Sequence, residues 1–242
     1  MHLLILGGSS PMAVHLAGLF ATHHQAEITL ASRNQEQLSK NAAYLNATCG
    51  SPVHTAYFDA CDRASHEGFY RSLSTAPDGV IIAVGYYGNQ NAAQSDPKEQ
   101  LNILTTNFIG PISILEIIAA DFQRRKTGFI IGIGSVSGVK GRKRNYIYGS
   151  AKAGFHTYLS GLRHRLSAED IPVMTVIAGP LSHKSHTDPV RRYLALTPEA
   201  AGDRIFKAWR TKKDVIFVPG FWRVVMTAIQ SIPERLFKRM GL

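Results

Sequence analysis

Tyr148 and Lys152 stand four residues apart in Tyr148-Gly149-Ser150-Ala151-Lys152, so a helix there carries a phenol and an ammonium on one face, one turn apart. The pairing has a chemical use. A phenol of pKa about 10 exchanges protons poorly at neutral pH, and a nearby ammonium favours its anion. The motif is short, and alone it describes a surface tyrosine just as well. Upstream, Ser135 ends an apolar run and Asn107 lies in a long amphipathic stretch.

A second group could hold an anion. The apolar run His2–Leu6 passes into Gly7-Gly8-Ser9-Ser10-Pro11-Met12-Ala13. A glycine-rich turn between strand and helix leaves N–H groups free to hold a pyrophosphate, with Gly7, Ser9, Ser10 and Met12 as candidate contacts. Pro11 and Ala13 stand where dinucleotide folds usually place a second and third glycine, and a capped helix start with no ligand fits this stretch equally well. Leu30-Ala31-Ser32-Arg33-Asn34 ends the second strand. An NAD-specific fold carries an acidic residue there, whereas Arg33 can pair with the 2′-phosphate of NADP(H); a plain surface arginine is the alternative. Asp59 and Ala60 end the third strand, where a carboxylate can accept from an adenine amine. Ala83, Val84 and Gly85 end the fourth, small enough for a nucleoside to approach the backbone.

The elements needed to position these groups are legible. Strands are expected at His2–Leu6, Glu27–Ala31, Val53–Phe58, Gly79–Val84, Gly128–Gly132, Pro172–Ala178 and Val215–Val218, several of them almost wholly apolar as doubly covered strands must be. Amphipathic windows alternate with them at Pro11–Thr22, Gln35–Asn46, Arg63–Leu73, Lys98–Gln123, Tyr148–Glu169 and Pro198–Thr211. The alternation predicts an α/β fold, a doubly wound parallel sheet (Rossmann fold) in a single domain over residues 1–220, followed by a tail at 221–242. Ligands of such sheets bind beyond the carboxyl ends of the strands.

The chain has 242 residues, a formal charge of +10 and a pI near 9.8, so anionic partners are favoured. Cys49 and Cys61 are too few for a disulfide framework. The start lacks the basic region of a signal peptide, and no window approaches the roughly 20 apolar residues of a membrane span. A cytoplasmic protein is expected, at most touching the inner face of a membrane.

The order Asn107, Ser135, Tyr148, Lys152 at these spacings closely resembles the tetrad of the short-chain dehydrogenases/reductases, and the resemblance runs from the glycine turn through Arg33 and Asp59 to Lys152. It implies that Tyr148 is the general acid/base on the carbonyl oxygen and that Ser135 orients that oxygen. Lys152 would lower the Tyr148 pKa and bind the nicotinamide ribose, and Asn107 would hold a water in a proton relay. By the same pattern Gly179, Pro180 and Leu181 contact the cofactor. The family's usual Pro-Gly order is reversed at Gly179-Pro180, Ala83-Val84-Gly85 replaces Asn-Ala-Gly, and His183 replaces a threonine. Homodimers or homotetramers are implied, through the helices near Asn102–Gln123 and Tyr148–Ser167.

Lys140, Arg142, Lys143 and Arg144 cluster between Ser135 and Tyr148. In this fold that loop borders the substrate mouth, so Arg142 and Arg144 are candidate contacts for an anionic substrate; a solvated charged loop is the alternative. In the tail Trp222, Val225, Ile229 and Ile232 recur at helical spacing, with Leu236 and Phe237 beyond Pro233 and with Arg235, Lys238 and Arg239 beside them. Such a segment can lie on an anionic membrane, or pack on the core or a second subunit. The loop Arg142–Tyr148 and the segment Pro219-Gly220-Phe221-Trp222-Arg223 together look like the branch containing decaprenylphosphoryl-2-keto-ribose reductases, which implies a lipid-linked anionic carbonyl substrate. A soluble ketone, a 3-oxoacyl thioester and an idle NADP-binding sensor are the competing possibilities. The basic loop lacks interleaved aromatics for base stacking, against a nucleic-acid partner. No metal is expected, since His183 and His186 have no third ligand nearby.

Overall fold

The computed structural model describes residues 1–182 and 195–240. Seven parallel strands form one sheet: β1 (His2–Leu6), β2 (Glu27–Ser32), β3 (Val53–Tyr57), β4 (Gly79–Ile82), β5 (Phe129–Ser135), β6 (Val173–Ala178) and β7 (Val215–Val218). Their order is β3-β2-β1-β4-β5-β6-β7, so the winding reverses between β1 and β4. Every residue of β1 and β6 is buried, which explains why they are apolar but for His2 and Thr175, two polar side chains that are hydrogen-bonded.

The two-residue repeat of the strands divides the core. Leu3, Ile5, Ile28, Ile81, Ile131 and Met174 face one side, where they meet Leu16 and Phe20 of α1 (Pro11–His24), Leu38 and Leu45 of α2 (Gln35–Cys49), and Ile205 and Phe206 of α8 (Pro198–Arg210). Leu4, Leu6, Val80, Ile82 and Ile130 face the other side, against Ile114, Ile118 and Phe122 of α6 (Gly110–Arg125) and Phe155, Leu159 and Leu166 of α7 (Tyr146–Leu166). Between these lie the shorter α3 (His66–Arg71), α4 (Gln90–Ala93) and α5 (Pro97–Leu104).

The window expected as one helix over Lys98–Gln123 is continuous over Pro97–Arg125, but a π turn at Thr105–Ile109 joins α5 to α6. By length and composition this helix could cross a membrane, contrary to the expectation that no window could; half of its most apolar stretch is packed inside the fold. Gly110 follows the π turn because a Cβ there would overlap the Ala60 carbonyl. The helix is thereby pressed against the turn that follows β3.

The tail forms α9 (Trp222–Ser231) and α10 (Glu234–Phe237). Trp222 and Met226 are buried against Val136 and Ile177, with Val139 and Phe217 alongside. Lys140 Nζ meets Glu234 Oε2 at 2.7 Å and lies 4.7 Å from the Phe237 ring centre. Gln230 donates to the Val139 carbonyl. The apolar face read as available to a membrane is thus largely committed to the loop after β5, while Phe221, Val224, Leu236 and Met240 stay exposed.

Candidate active site

A cleft of about 590 Å³ opens over the carboxyl ends of β1 to β4, where the strand order reverses. Gly7, Ser9, Ser10, Arg33, Asp59, Ala60, Ala83, Val84 and Gly85, all expected as cofactor contacts, line it. Ser32, Asn34, Phe58 and Thr106 line it too. The sequence gives these four no signal of their own, although Ser32, Asn34 and Phe58 each adjoin an expected contact and Thr106 adjoins Asn107. Met12 departs from the expectation: its side chain is 3% exposed, inside the core. Only its backbone N–H, in the first turn of α1, remains to offer.

The turn that shapes the cleft needs its first glycine. Gly7 has φ +96°, and a Cβ there would lie 2.7 Å from the Ala83 carbonyl carbon. Pro11 occupies the first turn of α1, and Ser10 caps the helix without using its hydroxyl on the backbone. Ser9 and Ser32 join their hydroxyls at 2.6 Å. A helix start with N–H groups and a free hydroxyl suits a pyrophosphate. Arg33 Nη1 lies 4.0 Å from Asp59 Oδ1, with the arginine side chain 55% exposed. So loose a pair leaves the guanidinium free for a phosphate, while Asp59, whose Oδ1 accepts from the Cys61 N–H at 2.9 Å, keeps Oδ2 for an amine. The donor set fits a phosphorylated dinucleotide.

The catalytic candidates gather beyond the β4 and β5 ends of this cleft. Helix α7 begins at Tyr146, two residues ahead of the expected start. Lys152 is buried, and its Nζ donates to the carbonyls of Ile133 and Val84 at 3.3 and 3.4 Å. Burial pulls its pKa down to about 8. Burial pushes the Tyr148 phenol up to about 12, against the opposing pull of Ser135 beside it. Ser135 stands at the last position of β5, where its hydroxyl accepts from the Ser137 N–H at 3.2 Å.

Asn107 sits in the π turn, fully buried. Its Nδ2 donates to the carbonyls of Tyr86 (2.6 Å) and Ile103 (2.9 Å), and its Oδ1 accepts from the Tyr86 N–H at 3.2 Å. Both amide protons are therefore committed. Toward the water expected of it, the side chain has only the second lone pair of Oδ1 to offer. Its evident work is to clamp the strand end that carries Gly85 and Tyr86.

The basic loop is not uniformly solvated. Arg144 is exposed, but Arg142 turns inward. Its Nη2 donates to Ser137 Oγ at 3.0 Å, the same oxygen that accepts from Asn145 Nδ2 at 2.9 Å. Its Nε is buried without a partner among the described residues, and burial lowers its pKa. Tyr87 stands over the site, its ring centre 5.0 Å from that of Tyr148.

Gly179, Pro180 and Leu181 follow β6 at the same end of the sheet but do not line the cleft. The Gly179 N–H donates to the Val218 carbonyl, and its Cα faces the Trp222 indole. Leu181 packs against the first core face. The expectations for His183 and His186 lie outside the described residues.

Comparison with known proteins agrees with this geometry. Residues 1–192 match the family described as short chain dehydrogenase. An uncharacterized oxidoreductase of Mycobacterium tuberculosis is 31% identical over 240 residues, covering 98% of this chain and 96% of the relative. An uncharacterized oxidoreductase of Streptomyces coelicolor is 30% identical over 240 residues, covering 98% and 95%. The solved short-chain dehydrogenase from Sphingobium yanoikuyae, in complex with NADPH, superposes with a TM-score of 0.80 at 22% identity and 96% coverage of both chains. The chain belongs to the short-chain dehydrogenase family.

Proposed function

We propose that this protein is an NADP(H)-dependent oxidoreductase acting on the carbonyl or secondary alcohol of an anionic substrate. One observation carries the proposal: a cleft with Arg33 at one end reaches Val84 at the other, where Lys152 bonds the Val84 carbonyl and stands one helical turn from Tyr148, which has Ser135 beside it. The NADPH complex of the Sphingobium relative is in keeping with that cofactor.

A bound nicotinamide would supply or accept the hydride. The chain's own groups handle the proton. With its pKa raised by burial, Tyr148 holds its proton at neutral pH and can deliver it to a carbonyl oxygen. Ser135 Oγ already accepts from Ser137, so its own proton is left to bond that oxygen. Lys152, held between two carbonyls, places a positive charge beneath the site. Gly7, Ser9, Ser10 and the Met12 N–H would hold the pyrophosphate, and Arg33 the 2′-phosphate.

Arg142 supports an anionic substrate. A half-buried guanidinium on the loop that leads into α7 and Tyr148 suits a phosphate or carboxylate. The exposed apolar residues of the neighbouring tail extend this to a keto-sugar carried on a polyprenyl phosphate. The test measures NADPH and NADH oxidation with polyprenyl-phosphate keto-sugars, free keto-sugars, 3-oxoacyl thioesters and neutral ketones, each with wild type and Arg142→Leu. The variant is expected to raise KM for anionic ketones about tenfold and to leave neutral ones alone. Equal loss on both classes would make Arg142 a purely structural residue.

A further inference from the structure

Ser135 leaves the sheet at the end of β5, and there its backbone N–H donates to a side chain, His156 Nε2, at 3.2 Å. His156 follows Lys152 in α7 by one turn, as Lys152 follows Tyr148, so all three stand on one helix face. Two glycines make room for the ring. A Cβ on Gly134 would overlap the imidazole, and one on Gly138 would come within 2.8 Å of its Cε1. Those glycines bracket Ser135 and Ser137. Burial, and then the Lys152 charge, pull the imidazole pKa down to about 4. The ring is therefore neutral at working pH, and accepting at Nε2 leaves its proton on Nδ1.

We propose that His156 is a positioning residue for the reaction: by accepting the Ser135 N–H it fixes the strand end that aims the Ser135 hydroxyl at Tyr148. Ser135 is then held at both ends, its amide by His156 and its hydroxyl by the Ser137 N–H. A strand end normally frays for want of ladder partners. A neutral ring lodged between two glycines replaces the missing partner without adding charge next to Lys152.

Two measurements test this, and only the kinetic one rests on the proposed carbonyl chemistry. Nitrogen-15 NMR of the folded wild type should show His156 protonated on Nδ1 and bare at Nε2; the opposite tautomer overturns the proposal. In the kinetic measurement, with NADPH and any ketone the wild type turns over, His156→Leu should lower kcat about tenfold, in line with leaving a buried N–H unpaired. His156→Gln, whose Oε1 can replace Nε2 as acceptor, should return within about threefold of wild type. NADPH affinity, read by fluorescence, should stay unchanged in both. A leucine variant with wild-type kcat, or a folded glutamine variant as slow as the leucine one, overturns the proposal. If the leucine variant does not fold, His156→Asn, too short to reach Ser135, takes its place in the same comparison. A wild type inactive on every ketone would sink the carbonyl proposal, while the tautomer still decides the role of His156.

Discussion

The Lys152 ammonium lies 5.9 Å from the centre of the Tyr148 ring and is bound not to the phenol but to the backbone of two strands. The Ile133 and Val84 carbonyls hold it beneath the site. The expected lowering of the Tyr148 pKa by Lys152 is not seen: burial raises it, and the group that opposes the rise is Ser135 beside the phenol.

That placement has a cost in stability. In the folded protein Lys152 titrates at about 8, against 10.5 for an ordinary lysine. Between those values the unfolded chain binds more protons, so wild-type stability rises with pH across this window. Lys152→Met, close in volume and uncharged, should unfold at a higher temperature than wild type near pH 7. A gain of at least about 2–4 °C is expected, the shift that 1 kcal/mol brings in a chain of this size. The gap should narrow as pH rises past 8. Calorimetry across that range checks both statements, and a variant less stable than wild type at pH 7 would contradict them.

Arg33 should set cofactor choice. Its loose pair with Asp59 leaves the guanidinium free, and a charge-assisted bond to phosphate contributes about 1.5–3 kcal/mol, roughly tenfold or more in affinity. Arg33→Ala is expected to weaken NADPH by that factor and to leave NADH nearly unchanged in a binding titration. Equal loss for both cofactors would make Arg33 structural.

Trp222 should matter to the fold. Its indole is buried against Val136, Ile177 and the Gly179 Cα, and truncating a buried aromatic to alanine typically costs about 3–5 kcal/mol. Denaturant unfolding of Trp222→Ala should show a loss of that order. A loss below about 1 kcal/mol would return the tail to the status of an independent segment.

Strands and helices were legible where hydropathy has a period. His2–Leu6 reads as a strand because the apolar run Leu3–Leu6 ends at a glycine turn. The π turn at Thr105–Ile109 left no such mark, since one extra residue per turn does not change composition. The tail shows the limit most clearly: Trp222, Val225 and Ile229 at helical spacing describe a face seeking an apolar partner, and nothing local says whether that partner is lipid or the loop at Val136. Tyr148, Lys152 and the Gly7 turn could be found because their chemistry lies within a few residues of chain. The bonds of Arg142 and Asn145 to Ser137, and of Ser135 to His156, join segments brought together only by folding. Asn107 was found through its resemblance to a family pattern, but its full set of hydrogen bonds was not foreseeable.

The central claim is that Tyr148 delivers the proton in an NADPH-dependent carbonyl reduction, and Tyr148→Phe tests it most directly. The substitution keeps the ring and its packing and removes only the hydroxyl. NADPH oxidation with a ketone accepted by the wild type should fall at least 100-fold, within the usual contribution of a general acid, while NADPH binding stays the same. A variant that retains more than a tenth of the wild-type rate would contradict the assignment.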